Sequence, residues 1–289
     1  MDVERVADYG TATGEGPVWH PDEAALYWLD IPDGELYRHD PASDEHELVH
    51  EDDRRVGGFT VQADGDLLLF ADDGAVQCWS PDSGLGETVV AEIPEERGSR
   101  FNDVIAGPEG RVYAGTMAQG DSPGRLYRFE RDGTFDVLIE GVATANGMGF
   151  SPDEDRFYFT ETNAETVWVF DYDPATGDLT DRRPVVNTVG GPGKPDGLAV
   201  DAEGRLWTAR WNGHCVVRHA PDGRVLDRVR FPARKVASVA FGGPEYETAY
   251  APTALAGGSR EIEGDGAGAL FRFDPGVAGR PPYRSAIEL

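Results

Sequence analysis

The sequence predicts an all-β fold, a six-bladed β-propeller of four-stranded blades that spans residues 1–289 as one domain. Three observations predict it. One unit recurs six times at a spacing of about 40 to 50 residues, the period of propeller blades. Each unit holds short apolar runs bounded by turn residues, and no helical periodicity of useful length intervenes. The segment before Gly14 has no unit of its own, so it is free to supply a strand elsewhere in the ring.

Each unit opens on a short strand of small residues: GPVW, GFTV, DVIA, GMGF, GLAV and SVAF. A turn and a second strand follow, in HPDEAALYWLD from His20, ADGDLLLFAD from Ala63, PEGRVYAGT from Pro108, SPDEDRFYFTE from Ser151, AEGRLWTAR from Ala202 and GGPEYETAYAP from Gly242. The hairpin partners are GELYRHDP, GAVQCWSPDSG, GRLYRFERDG, ETVWVFDYDPATG, HCVVRHAPDG and GALFRFDP. A fourth, outer strand before the next unit completes each blade. The N-terminal segment is expected to be the outer strand of the last blade, which closes the ring.

Composition narrows the function. The chain has 53 acidic against 26 basic residues, a formal charge of −27, which excludes nucleic acid and anionic membranes as natural partners. Its 6 Trp, 10 Tyr and 13 Phe rule out a disordered acidic tail. The acid excess is spread along the chain, and Lys194 and Lys235 are the only lysines, a balance that predicts a salt-rich cytosol. The start, MDVERVADYG, has no targeting pattern, and no run reaches about 18 apolar residues, so a cytoplasmic monomer or small homo-oligomer is expected. Cys78 and Cys215 lie far apart in no metal or redox spacing and read as packed, reduced thiols.

Aligning the units places Glu15, Gly57, Asn102, Asn146, Asp196 and Ala237 at the mouth of successive innermost strands. Those strands converge on the central channel, so four oxygen-bearing side chains should meet there, while Gly57 and Ala237 leave room. Two carboxylates and two amides suit a hard divalent cation such as calcium or magnesium. The absence of His and Cys from these places disfavours zinc. A single Asp or Asn would read as a turn cap. Recurrence in four blades favours a site.

Other motifs fail on chemistry. GGPGKPDG, Gly190 to Gly197, looks like a phosphate loop, but Thr188 stands where the first glycine belongs and Pro195 replaces the hydroxyl after Lys194. Its functional atom is then at Asp196. DYDPATGDLTD from Asp171 has Arg182 where a calcium loop needs a bidentate Glu, so it reads as a hairpin turn. His214 and Cys215 are neighbours on opposite strand faces and cannot pair. His39, His46 and His50 lie in an acidic stretch and read as solvated. No GxSxG elbow is present.

At these residues the sequence resembles the senescence marker protein, gluconolactonase and regucalcin family of six-bladed propellers. The likeness runs through GEGPVW, LYWLDIPDGELYRHDP, SRFNDV, GRVYAGTM, NGMGFSPD, PDGLAVDAEGRLWTARWNG and SVAFGG. The resemblance implies one divalent metal held by Glu15, Asn146 and Asp196, with calcium first and magnesium, manganese or zinc as alternatives. It implies substrate contacts from Arg100 and Asn102, and Asp196 as the catalytic base. Where some members carry a sugar-binding glutamate, this chain has Gln119, Gly120 and Asp121, so Asp121 is the substitute and sugar preference stays open. The implied reaction is hydrolysis of a sugar lactone, such as glucono-, xylono- or arabinonolactone, to the aldonic acid. Two rivals remain: a calcium-dependent phosphotriester or aryl-ester hydrolase, and a non-catalytic calcium-binding propeller.

Overall fold

A computed structural model describes residues 1–288. Six four-stranded antiparallel sheets form a closed ring, the blades of a β-propeller. The innermost strands are Gly14–His20, Val56–Val61, Phe101–Ala106, Ala145–Phe150, Lys194–Val200 and the short Ala240–Gly242. Val3–Asp8 pairs with Ala269–Phe273 as the outer strand of blade six, so the first and last strands are bonded to each other as expected.

Burial explains why the second strands read as unbroken apolar runs. Ala25–Asp30 and Leu67–Ala71 are buried along their whole length, because each blade packs against a neighbour on both faces. Outer strands carry the charge: Glu45–Glu51 is mostly exposed. Aromatic rings fill the wedges between blades, as where Phe70 meets Phe101 and Phe129 edge-on at centroid distances of 5.2 and 5.5 Å.

Two expectations need correction. His39 is fully buried, with its ring edge-on to Tyr250 of blade six at 6.1 Å, because strand alternation turns it inward despite its acidic neighbours. His50 packs on Trp79, and only His46 is exposed, beside the Tyr9 hydroxyl. Gly57 does not simply leave room in the channel. A Cβ there would stand 1.8 Å from the Phe101 carbonyl oxygen, so close approach of blade three requires the glycine.

The C-terminal segment crosses the opposite end of the ring. Its backbone bonds to Ala202, Tyr246, Val61 and Gly110, Arg280 reaches the Ser151 carbonyl at 3.1 Å, and Arg284 pairs with Asp22 at 2.7 Å. All six blades are thereby tied to one strap. No helix among the described residues is long and apolar enough to cross a membrane.

Candidate active site at the channel mouth

In five blades the pairing of the innermost strand slips at the same place. The irregularities fall at Glu15/Val18, Val56/Gly58, Phe101/Asp103, Asn146/Met148 and Pro195/Leu198. A bulge inserts an unpaired residue and re-aims its side chain. Asn102 and Asp196 are left unpaired at the slip, Glu15 and Asn146 are the last paired residues before it, and all four side chains are buried.

The blades are knitted together by these same residues. Asn146 Nδ2 donates to Asp196 Oδ1 in a short bond across blades four and five, and to Thr162 Oγ1 at 3.1 Å. Asn102 Nδ2 donates to the Ala145 carbonyl at 2.7 Å, which leaves its oxygen for a ligand. Glu15 Oε2 accepts from the Gly16 amide at 2.9 Å. Arg100 donates from Nη1 to the Phe101 carbonyl at 2.9 Å and lies within electrostatic reach of Glu15 and Asp196. Ala237 is buried in blade six, where its carbonyl accepts from the Gly197 amide at 2.8 Å.

A further carboxylate joins them. Asp103, half-buried, follows Asn102 and acts on both Glu15 and Asp196. The residue after the site position is Gly16, Gly147 and Gly197 in blades one, four and five, so an Asp at that place in blade three was a signal in the repeat alignment. Asp121, by contrast, stands exposed on the tight Gln119–Ser122 turn, apart from the buried cluster.

Crowding of like charges dominates the electrostatics. Burial, reinforced by Asp103, pushes Glu15 up to about 8. Burial pushes Asp103 up to about 7. Burial and then the charges of Glu15 and Asp103 raise Asp196 well above the usual carboxylate range, against the Asn146 hydrogen bond and Arg100. Burial pushes the Arg100 guanidinium down to about 10. With all three carboxyls ionised, one guanidinium leaves two negative charges uncompensated, the charge of one divalent cation, and the donors are all hard oxygens. The residues present therefore fit a divalent cation.

Asp30, Asp33 and Glu35 form a second acidic group with oxygens within 4.8 Å of one another. Asp30 is already engaged, accepting from the Ala12 and Thr13 amides at 2.7 and 2.8 Å, and Glu35 accepts from the Tyr37 hydroxyl. That group fastens a turn. Asp103 also lines a cavity of about 180 Å³ bounded by Val18, Thr60 and Met148 and by Pro281 and Tyr283 of the strap.

Fold and site together define a six-bladed propeller with a carboxylate-rich channel mouth. The sequence model described as SMP-30/Gluconolactonase/LRE-like region matches residues 13–255. The chain belongs to that family. It is 46% identical over 295 residues to a pentonolactonase of Haloferax volcanii, covering 100% of both chains. It is 33% identical to the regucalcin of Danio rerio, over 98% of each. A solved structure of a luciferin-regenerating enzyme superposes with a TM-score of 0.88 at 27% identity, covering 100% of this chain and 99% of that one.

Proposed function

We propose that the protein is a sugar lactonase, hydrolysing a lactone to the aldonic acid with one divalent cation held by Glu15, Asn146 and Asp196. The observation that carries this reading is the set of two buried carboxylates, Glu15 and Asp196, and two buried amides, Asn102 and Asn146, joined by the half-buried Asp103 and Arg100 at the channel mouth. The identity to the Haloferax volcanii pentonolactonase supports a five-carbon lactone as the first substrate. Oxygen-only donors favour calcium, with magnesium, manganese and zinc ranked behind it.

The cation, when bound, supplies Lewis-acid polarisation of the lactone carbonyl. Asp196 accepts the proton of the attacking water. A cation beside a carboxylate makes it a weaker base, but burial and then the charges of Glu15 and Asp103 press the Asp196 pKa the other way, so one residue can serve as both ligand and base. Asn146 holds the Asp196 carboxylate in place through its amide. Arg100 faces the mouth and balances the negative charge that grows on the ring oxygen as the acyl bond breaks. The Asn102 oxygen accepts from a substrate hydroxyl. Asp121 meets only those parts of a sugar that project beyond the rim.

Rates on pentono- and hexonolactones, measured beside an aryl phosphotriester, test the proposal. Lactone turnover with a silent phosphotriester is expected, and the reverse would assign the site to phosphotriester hydrolysis. Cation binding with no turnover of either would make the propeller non-catalytic. Arg100→Ala should lower kcat/KM by about 10²-fold, about 2.7 kcal/mol, while cation affinity by titration calorimetry stays within a few-fold. Loss of cation binding in that variant would make Arg100 a structural residue.

A further inference from the structure

Between blades four and five lies a polar site that the channel chemistry does not use. Arg210, on the second strand of blade five, is 3% exposed. Its Nη2 donates to His219 Nε2 at 3.0 Å, whereas its Nε and Nη1 meet no partner. His219 has no further capacity. Its Nδ1 lies 3.0 Å from the Gly223 carbonyl and so carries the proton, and its Nε2 is already shared with Thr208 Oγ1 at 3.3 Å. Arg210 forms no ion pair among the described residues.

The neighbours do not supply a counter-charge. Cys215 lies directly across the strand pair from Arg210, and burial pushes its thiol up, which keeps it neutral. Burial, helped by Arg210, pushes His219 down to about 4, so the ring is neutral as well. Burial pushes Arg210 down only to about 10, which leaves it charged at neutral pH. A buried charge without a partner is costly.

The facing blade offers a matching unmet group. Thr160 is fully buried, and its hydroxyl has no partner. Thr160 pairs with Asn146 and Arg210 pairs with Pro195, while Asn146 is bonded to Asp196, so the two residues stand at corresponding positions on neighbouring second strands. Tyr158 and Leu206 pack in one cluster between these blades. Alternation puts Thr160, two residues beyond Tyr158, and Arg210, four beyond Leu206, in that same interface.

The unmet guanidinium nitrogens are pure donors, and the Thr160 hydroxyl can donate alongside them. What fits them must accept hydrogen bonds, carry negative charge and be small. We propose that a halide ion, chloride in ordinary buffers, occupies the interface between blades four and five, held by Arg210 Nε, Arg210 Nη1 and the Thr160 hydroxyl.

Crystals grown in sodium bromide and measured at the bromine absorption edge test this. An anomalous peak within hydrogen-bond reach of Arg210 and Thr160 is expected. A non-anomalous water at that position, or an empty map, would overturn the site. In solution, raising bromide from about 0.1 to 1 M should lift Tm by about 3 °C beyond the rise in equimolar sodium methanesulfonate. Arg210→Met should lose that halide-specific rise, and Thr160→Val, which keeps the charge and the shape, should reduce it. A full halide-specific rise in either variant would overturn the assignment, and the wild-type bromide map decides even if Arg210→Met does not fold.

Discussion

Replacing Asp196 by alanine lowers kcat on a pentonolactone by about 10³-fold or more, because it removes the proposed base together with one cation donor. General-base catalysis alone contributes about 10² to 10⁴-fold. The fold should survive the change. Asp196 is a buried carboxyl beside Glu15 and Asp103, so its removal relieves a burial and repulsion cost that offsets the lost Asn146 hydrogen bond, and thermal melts in chelator should show a Tm close to that of the parent. Asp196→Asn separates the two roles, since the amide keeps an oxygen donor of the same shape but cannot take a proton. Its turnover should fall nearly as far as that of the alanine variant while calcium still binds. A kcat near the parent value in Asp196→Asn would remove Asp196 from the proton transfer.

Stability of the cation-free protein falls as pH rises from about 6.5 to 8. The folded chain holds protons on Asp103 up to about 7 and on Glu15 up to about 8. The unfolded chain has shed those protons by about pH 5. The native state therefore binds more protons in this window, and linkage makes stability decline with increasing pH. His39, His50 and His219 act with the opposite sign, because burial lowers their pKa values. Their effect fades as the unfolded imidazoles lose their protons through about pH 6.5, so it opposes the carboxyls at the low end of the window and is nearly spent by about pH 7.5. Calcium binds the deprotonated cluster, so the calcium-induced rise in Tm should be several degrees larger at pH 8 than at pH 6.5. Glu15→Gln should flatten the pH dependence in chelator. A calcium shift that is the same at both pH values would place the cation elsewhere.

How far the sequence reveals this architecture differs from residue to residue. The blades were legible because the turn, the buried second strand and the hairpin partner repeat with fixed spacing, and each repeat carries its own burial pattern. Glu15, Asn102, Asn146 and Asp196 were legible for the same reason: a position within a blade is also a position along the channel. Asp103 was less legible: it breaks the run of glycines that follows the site position in blades one, four and five, but simple alternation turns the neighbour of Asn102 away from the bore, and the bulge there brings its carboxyl into the cluster. His39 was misread from its acidic neighbours, although the alternation of ELYRHD places it on the buried face. The strap was invisible, since it works through backbone hydrogen bonds that a Gly- and Pro-rich stretch does not advertise. Arg210 looked like one more charged strand residue, and only its lack of partners in three dimensions sets it apart.

The most direct measurement is a cation titration of the fully stripped protein, following hydrolysis of a pentonolactone at fixed pH. The expected result is a baseline near the uncatalysed rate and a rise that saturates at one divalent cation per chain, with Glu15→Gln shifting the titration to higher cation concentration. Undiminished turnover after exhaustive stripping, or a saturated cation site with no lactone hydrolysis, would contradict a cation-dependent lactonase at the channel mouth.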